Sequence, residues 1–340
     1  MKMKPWRFLL LLGIFVILSV ELLGLMRRNF QSKRRPGWQI IRPPHEVSAL
    51  VLQNQILWSG GKDGVVGIDI QKREIVKTIT CDPPVNFVQA LVLDRQNWLW
   101  IAHNKGLSYY DGQRCQAYQS DDSRFREPIN TLYLDRQGQL WIGTWQGAAV
   151  KEKAGWRWLG MADGLPDLMI NLIAQDSQGG MWFGSSVAPR GGLNYCLKKT
   201  CQKFSTSNGL PHNNITSLWI EDSNKVWVGT GFFDRGGAVQ LETDRSGWAI
   251  RQTLTAESGL AGAKVRSIYQ DRQGILWFGS ENDGLARRSG NKWLTFTTAD
   301  GLANQEIKVM LEDQAGNFWI GTKDGVNYIP AEQLLKLGDK

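Results

Sequence analysis

Histidine is almost missing from these 340 residues, with only His45, His103 and His212 present. Metal or general-base chemistry would need such side chains to converge with carboxylates, so three leave little room for either. Proline is scarce too, 11 residues against 37 Gly and 16 Trp. That balance excludes a disordered chain and points to short strands and tight turns rather than helices. Excess charge is missing from most of the chain. The formal net charge is +8, but eight of the 40 Lys/Arg and one of the 32 acids fall in 1–36, leaving 32 against 31 in 37–340. A body of net +1 has no overall field with which to neutralise phosphates, which excludes nucleic acid as a partner.

Long apolar runs are missing except for one. Phe8 to Met26 is a 19-residue stretch interrupted only by Glu21, just long enough to span hydrocarbon. A cleavable signal peptide would show small residues before its cleavage site; Ser19–Met26 holds no such pair and no lipobox Cys follows. The segment reads as an uncleaved anchor (1–36, span 8–26) with the lipid bilayer as partner. Glu21, near its end, can snorkel or face Arg28. Three Lys/Arg precede the span and five follow it, so the positive-inside rule casts no vote on orientation. Cysteines number four. Cys196 and Cys201 bracket the turn of a hairpin and are either a cross-strand disulfide of an oxidising compartment or two surface thiols. Cys81 and Cys115 fall in outer strands of neighbouring repeats and are left unpaired.

What is abundant is repetition. Trp58, Trp100, Trp141, Trp182, Trp227, Trp277 and Trp319 lie 42, 41, 41, 45, 50 and 42 residues apart, and around them the text recurs: LYLDRQGQLWIGT (132–144), IYQDRQGILWFGS (268–280), MLEDQAGNFWIGT (310–322). In LWIEDSNKVWVGT (218–230) the Asp stands one residue closer to the Trp, and the first copy, LVLQNQILWSGG (50–61), lacks it. Seven copies at one period mean a repeat architecture. Each unit reads as four strands: A (129–134 in the third copy), the Asp-x-x-Gly turn, B (140–144), a Gly-containing loop, C (about 148–151) and an aromatic D around Trp156–Trp158. Residues on both sides of the Trp are apolar, so both faces of each sheet are covered. The expected fold is all-β, a seven-bladed β-propeller of four-stranded antiparallel blades preceded by a single transmembrane helix. The Gly two residues after each Trp leaves room for the next blade. The last copy lacks strand D, and 38–42 is placed to supply it, closing the ring. The propeller then occupies 37–330 and 331–340 is a tail.

The D-x-x-G-x-L-W-I-G-T core, together with the turns Asp163-Gly-Leu, Asn208-Gly-Leu, Ser258-Gly-Leu and Asp300-Gly-Leu, resembles the two-component regulator propeller repeats over roughly 40–330. The resemblance implies an extracytoplasmic sensor propeller of the kind found in bacterial hybrid histidine kinases, some of which recognise oligosaccharides. Those receptors carry tandem propellers, an Ig-like domain, a kinase and a receiver. Here seven repeats stand alone, so the implied role is binding, with the signal passed to a partner such as a histidine kinase. Seven-bladed streptogramin lyases share Trp-rich repeats, but their His/Glu signature has no match here.

The repeating acids Asp94, Asp135, Asp176, Asp222, Asp271 and Asp313 occur once per blade and cannot share an ion; a turn role explains them. No catalytic residue, cofactor or metal is expected. Irregularities are more telling, because loop insertions map to one face. From Trp to the Gly that starts strand C the gap is short except in blades 4 and 5, whose extensions end Arg190-Gly-Gly and Phe232-Phe233-Asp234-Arg235-Gly-Gly. Arg and exposed aromatics are good recognition chemistry; the competing reading is a cover for the central opening, with each Arg paired to an acid. The candidate binding patch is Arg190, Phe232, Phe233, Asp234 and Arg235 with Trp145 beside it. His103, which replaces the usual Thr or Ser, joins Lys62, Lys105, Asp283 and Lys323 on the same rim. The expected ligand is a small molecule, an oligosaccharide among the classes considered, or a protein. An envelope scaffold is the second functional reading, and a lyase or hydrolase at the funnel the third. The expected location is the bacterial inner membrane with the propeller in the periplasm.

Overall fold

A computed structural model describes residues 35–186 and 190–337. Seven sheets follow one another in chain order, with strands A to D antiparallel in each and, except at the outer edge of blade 7, in sequence order. In blade 3 these are Ile129–Leu134, Leu140–Thr144, Gly147–Glu152 and Gly155–Leu159. The ring closes as expected. Gln39–Ile41 adds to the outer edge of blade 7, Gln39 opposite Tyr328 and Ile41 opposite Val326. The expected span 8–26 lies outside the described residues, and no helix among those described is long and apolar enough to cross a membrane.

The recurring Trp and the residue six before it are one device. In blade 3, Asp135 Oδ1 accepts the backbone N–H of Gln139 at 2.7 Å, while Oδ2 accepts the Trp141 indole N–H at 2.9 Å. Asp94, Asp271 and Asp313 do the same for Trp100, Trp277 and Trp319. In blade 5 the sequence reading singled out Asp222, but the indole of Trp227 donates to Glu221 Oε2 at 3.0 Å. Glu221 keeps the six-residue spacing. In blade 1, Gln53 stands one residue closer and its longer side chain still reaches Trp58, at 2.8 Å. Blade 4 departs from the rule: Asp176 holds the turn through Gln178 and Gly180, but the Trp182 indole N–H has no acceptor.

Each indole, pinned or not, packs against the following blade. Trp277 of blade 6 meets Ile307, Met310 and Phe318 of blade 7, and Trp319 of blade 7 meets Val47, Leu50 and Leu57 of blade 1. The blades approach so closely that a Cβ on Gly143 would lie 2.8 Å from Ile170 of blade 4, and one on Gly321 2.6 Å from Val47 across the seam. A glycine is required there for lack of space.

Two features correct the sequence reading. The part of the expected tail 331–340 that is described, 331–337, is docked: Ala331–Lys336 forms helix α1, and Leu334 and Leu337 are buried against Trp38 and Phe296. The spacing of those two leucines puts both on one helix face. Cys81 and Cys115 do form a disulfide. Cys81–Asp82, on the way to blade 2, runs parallel to the short outer strand Cys115–Ala117 of that blade and makes it five-stranded. A sulfur bridge there could not be read from strand counting, because the extra strand belongs to the connection.

Replacing Asp313 by Ala leaves the Trp319 indole and the Ala315 and Asn317 N–H groups without their acceptor. The expected loss is roughly 3 kcal/mol by chemical denaturation. Asp222→Ala, which removes only the acceptor of Asn224 N–H, should cost under about 1 kcal/mol. Truncating the chain to begin at 44 opens the edge of blade 7 and should aggregate or melt well below a chain beginning at 37; equal melting temperatures would refute the closure.

Candidate functional site

The B–C and D–A connections of all blades gather on one face of the ring, opposite the Asp turns. In the regular blades the B–C hairpin is closed by the Thr or Ser after the Gly: Thr144 Oγ1 accepts Gln146 N–H and donates to the carbonyl of Gly147. His103 performs this task in blade 2. Its Nδ1 accepts Lys105 N–H at 3.2 Å and its Nε2 lies 3.0 Å from Ser108 Oγ. Its exposure is 4%, so it is part of the hairpin and not of a ligand-facing rim. Burial, with Lys105 nearby, lowers its pKa to about 4. His45 lies at the seam, 2.9 Å from Asp63. Among the described residues no group of three or more His, Cys, Asp or Glu is placed to hold a metal ion.

The long connection of blade 5 is a hairpin rather than a loop. Strands Lys225–Phe232 and Arg235–Asp244 continue past the sheet, with Phe232 opposite Arg235 and Phe233-Asp234 as the turn. Phe232 is 49% exposed and Phe233 74%, their rings 4.3 Å apart and edge to face. Phe233 sits at φ 52°, a left-handed conformation that a bulky side chain adopts at some cost. Neither strain relief nor burial explains an aromatic pair here. His212, from the D–A connection, lies beside Phe232 with ring centres 6.2 Å apart. Burial, then Arg235 and Lys264, lower its pKa. His212 is not among the residues of the expected patch; its proximity to Phe232 follows from the hairpin's length.

Arg190 and Arg235 are exposed, and among the described residues neither forms an ion pair. The alternative in which each Arg is tied to a neighbouring acid therefore does not describe them. Trp145 is exposed on the next hairpin, in blade 3. Lys62, Lys105, Asp283 and Lys323 are exposed on the B–C hairpins of blades 1, 2, 6 and 7. No ring contact joins Trp145 to Phe232 or Phe233, so the face carries an aromatic knuckle at blade 5 and a separate Trp at blade 3. Blades 6, 7 and 1 differ in kind. There Lys264, Glu281, Arg266, Glu306, Lys308 and Glu46 form one chain of ion pairs, with Lys264–Glu281 at 2.6 Å and Arg266–Glu306 at 3.4 Å. Three cations meet three anions, so this chain of ion pairs is neutral in itself.

Four segments, 125–146, 164–186, 259–282 and 301–324, match the two component regulator propeller family. These are two-component regulator propeller repeats. Each matched segment holds a D–A connection or its end, strand A, the Asp turn and strand B. The fold is also that of solved propellers of low identity. The extracellular domain of the hybrid two component system BT3049 from B. thetaiotaomicron is 20% identical at TM-score 0.76, over 88% of this chain and 42% of that one. PorZ, a bacterial surface component of the type-IX secretion system of Porphyromonas gingivalis, is 15% identical at TM-score 0.63, over 86% and 47%. Virginiamycin B lyase from Staphylococcus aureus is 11% identical at TM-score 0.63, over 86% and 98%. The chain thus spans less than half the length of the first two. No curated protein matches the sequence.

The buried His103 makes the propeller repeats of this chain sensitive to acid in one defined way. Its folded pKa lies below the unfolded value, so between about 6.5 and about 4 the unfolded chain binds a proton that the folded one refuses. Stability is lost as the pH falls through that window, by up to about 3 kcal/mol. In His103→Thr, which restores the residue of the other blades, the loss of melting temperature from pH 7 to pH 4.5 should be visibly smaller than in the parent.

Proposed function

We propose that the chain is a membrane-anchored, extracytoplasmic sensory propeller that binds its ligand on the face of the B–C connections and passes the signal through a partner protein such as a histidine kinase. The observation that carries this reading is the blade-5 hairpin: two solvent-exposed phenylalanines, one in a left-handed conformation, beside the unpaired Arg235. Exposed aromatics and unpaired guanidinium groups are what recognition sites use, and backbone strain concentrates at such sites. The family of the repeats supports a sensory role, as does the fold shared with the extracellular domain of BT3049. Both pairs of cysteines are bonded, Cys81 to Cys115 and Cys196 to Cys201. Disulfides suit an oxidising compartment, hence a periplasmic propeller on an inner-membrane anchor at 8–26. An envelope scaffold uses the same knuckle for a protein instead of a small ligand, and the fold shared with PorZ favours it as the second reading.

The test is ligand-induced stabilisation of the full chain across a glycan and metabolite panel. A ligand at a hundredfold excess over Kd adds about 2.7 kcal/mol. Phe232→Ala/Arg235→Ala should bind at least about tenfold more weakly while melting like the parent. If the parent responds to nothing and retains a protein from an envelope extract, the scaffold reading replaces the sensor. If the double variant binds like the parent, the site is elsewhere. A phosphatase fused at Lys340 should be active; an inactive fusion, with a fluorescent protein at the same place bright in the cytoplasm, removes the periplasmic assignment.

A further inference from the structure

Blade 2 carries more aromatic surface than its packing uses. Trp98 and Trp100 stand two residues apart at the start of strand Leu99–His103, so the period of two sends both to one face of the sheet. Tyr109 lies opposite Trp100 and Gln116, and Tyr118 follows Gln116 by two, which puts all four rings on that face. They form one wall. Ring centres are 5.0 Å apart from Trp98 to Tyr109, 5.4 Å from Tyr109 to Trp100 and 5.9 Å from Trp100 to Tyr118. Trp98 lies flat on Tyr109, with 10° between the planes, and is 37% exposed. In the other blades the position two before the recurring Trp holds Ile56, Gln139, Gly180, Lys225, Ile275 or Asn317, so a blade closes without an aromatic there. All four rings line one cleft of about 790 Å³, a size usual for small-molecule sites. Lys151 of blade 3 lines it too, its ammonium 4.7 Å from the Trp100 ring centre and 5.7 Å from that of Tyr118. Arg114 is the second cation of the lining and Asp82 its one acid. Among the described residues neither Lys151 nor Arg114 forms an ion pair.

We infer that this cleft binds a planar aromatic carboxylate, a small molecule of one or two flat rings bearing an acid group. It is a second site, away from the blade-5 hairpin, and does not rest on the sensory reading. A flat ring laid against the open face of Trp98 continues a stack that Trp98 and Tyr109 already form, and aromatic pairs favour such offset stacking. The acid group supplies the anion that Lys151 and Arg114 lack, in a charge-assisted contact stronger than a neutral one. Lys151 is held against two rings of the wall, so cation and aromatic surface are presented together. A neutral ring would use the wall and leave both cations unpaired. A single strand of nucleic acid needs a positively charged groove that tracks its backbone, and two cations with one acid do not make one.

The experiment measures binding of three probes to the full chain by calorimetry: 2-naphthoate, the neutral 2-naphthamide, and the saturated, non-planar decahydronaphthalene-2-carboxylate. The first should bind, and the other two about tenfold more weakly or worse. Trp98→Ala should weaken 2-naphthoate about tenfold with a parental melting temperature, because the indole is exposed. Arg114→Gln/Lys151→Gln should weaken 2-naphthoate by a similar factor and leave 2-naphthamide unchanged, a difference that lost packing would not produce. Phe87→Ala removes an aromatic that is 44% exposed outside the cleft and should bind 2-naphthoate like the parent. Equal losses in Phe87→Ala and Trp98→Ala would reduce the effect to unspecific stacking and overturn the site. Equal binding of the amide overturns the anion requirement, and equal binding of the saturated acid overturns the planar one. No heat from 2-naphthoate at roughly millimolar concentration overturns the site as a whole. Each of these outcomes leaves the blade-5 hairpin and the sensory reading to their own test.

Discussion

A carboxylate six residues ahead of a tryptophan is the contact on which this ring depends. One oxygen gathers the N–H groups of the turn between strands A and B, and the other fixes the indole that fills the space before the next blade. A local turn is thereby coupled to an interface with residues some 40 positions away in sequence. The coupling explains which departures are tolerated. Glu221 and Gln53 replace the aspartate because an extra methylene brings an acceptor to the same indole. Blade 4 lacks the indole bond, and there Trp182 is held by Tyr195, Phe204 and Trp248 around it.

Uniform blades leave function to the connections, which do not carry the fold. Thr144 and Thr322 close their hairpins with the same hydroxyl bonds, and His103 shows how an unusual residue can serve that same end. In blades 4 and 5 Ser185 and Thr230 make the same hydroxyl bonds, to Gly192 and Gly237, and the added residues lie beyond them. Phe232 and Phe233 stand largely in water beside each other, with His212 and Lys264 near Phe232. Charge follows the same division. Around blades 6, 7 and 1 Lys264, Arg266 and Lys308 are paired with Glu281, Glu306 and Glu46. Among the described residues Arg190 and Arg235 form no such pair.

Amino-acid sequence alone determined the number of blades, their order, the closing strand at 38–42 and the face that carries the irregular loops. All of these follow from spacing, because a repeat states its own period and a missing strand leaves a countable gap. The identity of the blade-5 acceptor, the Cys81–Cys115 bond and the docking of Leu334 and Leu337 were decided only in three dimensions. Each depends on a distance between segments that spacing does not encode: a glutamate's reach, a connection lying beside an outer strand, a short helix finding Trp38. The site divides in the same way. Sequence marked the long hairpin by its length, but only the folded chain decided that His103 is buried within its own hairpin, that His212 stands beside Phe232, and that the arginines lack acids, since burial and pairing are properties of neighbours the ring brings together.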